Sequence, residues 1–72
     1  MTVLAITNSF NSKLELIECK TKDEALDKMK SLYKKKCQRK KYDVNNTYLD
    51  EDDCYAQIVN GLEQVEFRIG NI

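Results

Sequence analysis

The feature that most constrains this chain is a one-sided helical pattern over residues 21–40. Leu26, Met29, Tyr33 and Cys37 recur at three- and four-residue spacing, and Ala25 and Leu32 widen the same stripe. Thr21 stands where its hydroxyl can cap the backbone N–H of Glu24, and Glu24 can reach back, as in a capping box. Asp23 and Glu24 lie at the end where the helix dipole favours carboxylates, and lysines crowd the end where it favours cations. The spacing therefore predicts one amphipathic helix with a single apolar side to bury.

What it packs on is written in the flanking residues. Residues 2–7 set Leu4 and Ile6 against Val3 and Ala5, a strand reachable from both faces, and residues 8–12 are turn formers. Residues 13–19 alternate again, with Leu14 and Leu16 on one face and Glu15, Ile17 and Cys19 on the other. After the helix, residues 44–50 make a weak strand, because Asn45 and Asn46 have poor strand propensity. Residues 54–59 and the segment from Val65 to Ile69 read as two stronger strands joined at Asn60-Gly61, a hairpin signal. In the last strand Val65, Phe67 and Ile69 point one way, Glu66 and Arg68 the other. The predicted fold is α+β, in the order ββαβββ, with the helix on one face of a mainly antiparallel sheet of about five strands. Short connections favour the strand order 2-1-3-4-5. The other sheet face would show Tyr55, Gln57, Val59, Glu66 and Arg68.

Seventy-two residues support one core, hence a single domain over residues 1–72. Twelve cationic and twelve acidic residues cancel, so partner choice by charge must come from local patches. No basic, apolar leader opens the chain and no apolar run approaches a membrane span, which predicts a cytoplasmic protein without a membrane partner. Cys19, Cys37 and Cys54 match no zinc-ligand spacing, and there is no histidine. No metal site and no cofactor are implied. Without histidine neither a serine triad nor a conventionally activated cysteine can be assembled, so Cys37 and Cys54 are expected to pack in the core and no catalytic residue is assigned.

Two charge clusters remain. Asp50-Glu51-Asp52-Asp53 forms an acidic hairpin tip flanked by Tyr48 and Tyr55. These six residues are the candidate partner-binding set, since aromatics beside charges suit protein contact. A solvated polar turn and cross-strand packing of the tyrosines account for the same residues structurally. The second cluster is the basic end of the helix, where Lys34, Lys35, Arg39, Lys40 and Lys41 are the alternative, nucleic-acid contact. Stepped at ~100° per residue these cations coat the helix more than they line it, as a solvated face would.

The Lys-, Asn- and Ile-rich, proline-free composition resembles that of small accessory proteins of phages and mobile elements of low-GC bacteria. The stretch from Tyr48 through Asp50-Glu51-Asp52-Asp53-Cys54-Tyr55 to Ile58, and the ending Glu66-Phe67-Arg68-Ile69-Gly70, are similar to that group. The resemblance implies a non-enzymatic inhibitor or adaptor in a bacterial host cell, acting by occluding a protein partner, for example a defence enzyme such as a CRISPR nuclease. The alternative is a small nucleic-acid-binding accessory protein. Monomer and homodimer are both open, a dimer being one way to cover Tyr55, Val59 and Leu62 on the bare side of the sheet.

Overall fold

A computed structural model describes residues 1–39 and 41–71, the side chain of Arg39 excepted. Its elements run β1 (Thr2–Asn8), β2 (Lys13–Cys19), α1 (Lys22–Arg39), β3 (Tyr48–Asp50), β4 (Tyr55–Asn60) and β5 (Glu63–Asn71). One helix packs on one face of a five-stranded sheet in which every pairing is antiparallel.

The helix starts where its cap dictates. The Glu24 N–H donates to Thr21 Oγ1 at 3.1 Å. The Glu24 carboxylate accepts from the Lys20 N–H at 3.3 Å, one residue earlier than in the standard capping box. Ala25 and Met29 are fully buried, and Leu26, Leu32, Tyr33 and Cys37 pack against the core from the stripe's margins. From the sheet, Leu4 and Ile6 of β1, Ala56 and Ile58 of β4, and Val65 and Phe67 of β5 complete that core.

The strand order is β2-β1-β5-β4-β3, which corrects the order 2-1-3-4-5 favoured by short connections. The last strand, not the third, takes the place beside β1. Residues 2–8 of β1 pair one-to-one with residues 65–71 of β5. Both strands are long, and between them they set Leu4, Ile6, Phe67 and Val65 under the helix. A three-residue β3 could not offer that length, and it lies at the far edge. The helix carries the chain from one edge to the other. Four strand spacings of ~4.8 Å are about 19 Å, within reach of an 18-residue helix of about 27 Å.

Three local expectations shift as well. Residues 44–46 form a turn, not the start of β3, because the Asp43 carboxylate accepts from the Asn45 N–H at 3.0 Å and from Asn46 Nδ2 at 2.7 Å. The β4–β5 turn is centred on Gly61 and Leu62, while Asn60 pairs with Glu63 as the last rung. Gly61 has φ +59° at the first central position, where type II′ turns take glycine. Cys54 belongs to the turn, not the strand, and is only partly buried; Cys19 is the buried cysteine.

Candidate functional site

Side-chain parity divides the sheet cleanly. With Ala56 and Ile58 turned to the helix, Tyr55, Gln57 and Val59 face the other way, joined by Glu66 and Arg68 from β5 and by Tyr48 and Asp50 from β3. Among the described residues, no element covers this face. The side chains that the sequence assigned to it are the ones that the registers place there.

They form a connected surface. Tyr55 and Arg68 are direct cross-strand partners, and the guanidinium carbon lies 4.9 Å from the centre of the Tyr55 ring. Tyr48 packs diagonally against the same ring, with centroids 5.9 Å apart and planes tilted by 47°. Arg68 also donates to Glu66 at 3.1 Å, and Gln64 donates to the other oxygen of that carboxylate at 3.1 Å. The Tyr55 hydroxyl donates to Gln57 Oε1 at 2.8 Å, and Gln57 Nε2 donates to the Asn46 carbonyl at 2.6 Å. Gln57, Gln64, Glu66 and Arg68 are thus each tied to a neighbour, which holds the Tyr55 ring in a fixed pose. Partial burial pushes the Tyr55 hydroxyl pKa up, with Glu66 and Tyr48 adding and Arg68 opposing.

A depression of about 380 Å³ opens beside the rings, lined by Tyr48, Asp50, Asp53, Cys54, Tyr55, Arg68 and Ile69. The acidic tip therefore splits. Asp50 and Asp53 belong to the open-face depression, where Asp50 Oδ1 also accepts from the Asp53 N–H at 3.1 Å and fixes the turn. Glu51 and Asp52 turn to the opposite side and border an open hollow with Lys22, Asp23, Asp27 and Lys30 of the helix. There Glu51 pairs with Lys30, and this contact, with a smaller effect from Asp27, raises the lysine's pKa against the lowering effect of burial. Sequence spacing pairs Lys30 with Asp27, one helical turn back; the fold gives it to the hairpin tip instead. Among the described residues, the side chains of Asp52 and Asp53 make no hydrogen bond or ion pair, so their charge is available to a partner.

Of the six residues proposed for partner contact, four therefore meet at one depression: Tyr48, Asp50, Asp53 and Tyr55. Glu51 and Asp52 do not join them. Arg68, Ile69 and Cys54 were missing from that set. Arg68 could have been found from the hairpin alone, because a two-residue turn at Gly61-Leu62 fixes Tyr55 opposite Arg68. Cys54 enters because it closes the turn at φ +53°, a conformation that the sequence does not announce.

The alternative basic contact is more scattered. Lys34, Lys35 and Lys41 are exposed and make no ion pair among the described residues. Arg39 closes the helix, but its side chain lies outside the described set, as does Lys40. Cys37 beside Tyr33 has its thiol pKa pushed up by burial, with the Tyr33 hydrogen bond opposing, which keeps it protonated at neutral pH. Among the described residues, no group of three or more Cys, Asp or Glu side chains is arranged to hold a metal ion, and no helix is long and apolar enough to cross a membrane. Comparison with known protein families, curated proteins and solved structures finds no match to this chain.

Proposed function

We propose that this chain is a non-enzymatic protein-binding module, an inhibitor or adaptor, that occludes a partner with the uncovered side of its sheet. The observation that carries this reading is the depression where Tyr48 and Tyr55 meet the carboxylates of Asp50 and Asp53. Two rings held by packing present contact area with little rotamer entropy left to lose on binding. Carboxylates at the rim favour a partner surface with lysine or arginine side chains. The resemblance to small phage and mobile-element proteins points in the same direction and makes a bacterial defence enzyme a reasonable class of target. The test is quantitative affinity capture from bacterial lysate. Asp50→Asn with Asp53→Asn removes the charge but keeps the turn's oxygen acceptor, and is expected to lose the captured protein. Glu51→Gln with Asp52→Asn is expected to retain it. Equal retention by both double variants would remove the acidic rim from the account.

The unpaired Lys34, Lys35 and Lys41 support a second reading, contact with a nucleic-acid backbone. Counterion release makes such binding strongest at low salt. A titration with duplex and single-stranded DNA that shows no binding at low salt excludes it.

A further inference from the structure

The strand registers set the charges around Tyr55 in a definite order. Asp50 of β3 and Arg68 of β5 are its direct partners, one on each side of it. Two strand spacings of ~4.8 Å therefore separate Asp50 from Arg68 along the backbone, with the ring between them. Arg68 is matched twice, by the Tyr55 ring at 4.9 Å and by the Glu66 carboxylate at 3.1 Å. The β3 flank has the same ingredients without the cation. Tyr48 is 47% exposed, and its ring carries no cation among the described residues. The Asp53 carboxylate has no partner among the described residues, and Asp50 accepts only the Asp53 N–H, a neutral donor. Arg68 is the one cationic residue in the lining of the depression, and Glu66 offsets it. The uncompensated charge there is that of the two aspartates.

We propose that the depression receives one arginine side chain of the partner protein, its guanidinium stacked on Tyr48 and forked onto the carboxylates of Asp50 and Asp53. The inference rests on the binding role proposed above and names what the partner puts into that site. Charge complementarity selects a cation. Volume selects a single side chain: about 380 Å³ stands near the low end of the ~300–1,000 Å³ of ligand clefts, without room for a helix ~10 Å across. The combination of ring and carboxylates selects guanidinium over ammonium. A guanidinium is planar, so it stacks on an aromatic face while its fork of donors meets carboxylates; an ammonium is a compact, strongly hydrated point charge. The chain already builds this three-part arrangement once, with Arg68 against the Tyr55 ring and Glu66. The partner's arginine completes the second, on the flank where ring and carboxylates stand without a cation.

The test titrates N-acetylarginine methylamide into the ¹⁵N-labelled full chain, followed by heteronuclear NMR, with the lysine and citrulline counterparts as controls. Citrulline keeps the shape of arginine without its charge. The arginine probe is expected to shift the amides of residues 48–55 and 68 saturably, and to bind at least about threefold more tightly than the lysine probe. Citrulline is expected to leave those amides in place. Asp50→Asn with Asp53→Asn is expected to weaken arginine binding by roughly tenfold or more, and Tyr48→Leu by about two- to fivefold. Each variant's own spectrum reports whether it is folded. No saturable shift at those amides, equal binding of arginine and lysine, or undiminished binding by the folded aspartate variant overturns the proposal. The lysate capture described above separates the two failures. A partner captured through Asp50 and Asp53 by a chain that binds no arginine overturns the arginine and leaves the binding role standing. Selective arginine binding by a chain that captures no protein counts against the binding role instead.

Discussion

The two faces of the sheet are made from the same strands and obey opposite rules. Under the helix, Leu4, Met29 and Phe67 are fully buried in the apolar core. On the other face, Tyr48 and Leu16 are about half exposed, and Tyr55, Arg68, Glu66 and Gln57 are tied together by hydrogen bonds and a ring–cation contact. The first face supplies the burial that stabilises the fold. The second is more exposed, yet its side chains are held in place by contacts with one another. An exposed surface ordered in this way is what the proposed binding role would use.

The sharpest way to break this division is to truncate one large side chain on each face. Phe67→Ala removes the largest buried side chain and is expected to cost ~3–5 kcal/mol, a large share of the roughly 4–11 kcal/mol available to a domain of this size. Tyr48→Ala on the open face is expected to cost about 1 kcal/mol or less. Urea unfolding followed by circular dichroism at one fixed protein concentration measures both. Comparable losses would mean that the open face is a second core.

A smaller effect concerns the helix that covers the first face. Thr21→Ala removes the acceptor of the Glu24 N–H and is expected to cost ~1 kcal/mol in the same assay. No change would mean that the helix start is set by the sheet and not by its cap.

The open face also holds a non-glycine residue in the left-handed region, Cys54 at φ +53°. Cys54→Gly is expected to raise stability by about 0.5–1 kcal/mol, the relieved steric cost less the added freedom of the unfolded chain. The denaturation midpoint reads it. A loss of stability would show that the thiol's partial burial outweighs the backbone strain.

The smallest effect is the response to alkali, which touches both faces. Burial raises the pKa of Cys37 and Tyr33 on the helix and of Tyr55 on the open face, and the Glu51 carboxylate raises that of Lys30. Each of these groups holds its proton more tightly folded than unfolded. Their contribution is fully present below the unfolded pKa values and is lost as pH rises through the folded ones. Stability is therefore expected to decline gradually above about pH 8.5, where a free thiol begins to ionise, and further above about pH 10. Thermal melts across that range check it; a midpoint that rises with pH would contradict the sign.

The helix and the sheet parity were legible in the sequence because each rests on a local period: 3.6 from Ala25 to Cys37, and 2 in β1, β2, β4 and β5. Strand order was not legible. Adjacency in the chain favoured β3 beside β1, and the competing fact, that β5 matches β1 in length and pattern, is a relation between distant segments. The candidate site was half legible for the same reason. Tyr48, Tyr55 and the acidic tip stand out as a cluster, but the split that puts Asp50 and Asp53 on one side and Glu51 and Asp52 on the other is set by the turn's course in space, which spacing along the chain does not give. Lys30 likewise finds Glu51 only through the crossing of helix and hairpin.

The central claim is that the rings on the open face serve binding and not folding. Its most direct test is the double variant Tyr48→Ala with Tyr55→Ala, carried through two readouts on one preparation: the thermal midpoint, and label-free quantification of proteins captured from bacterial lysate. The account predicts a midpoint close to wild type and loss of the captured partner. A variant that still captures the same protein, or one that no longer folds, would contradict it.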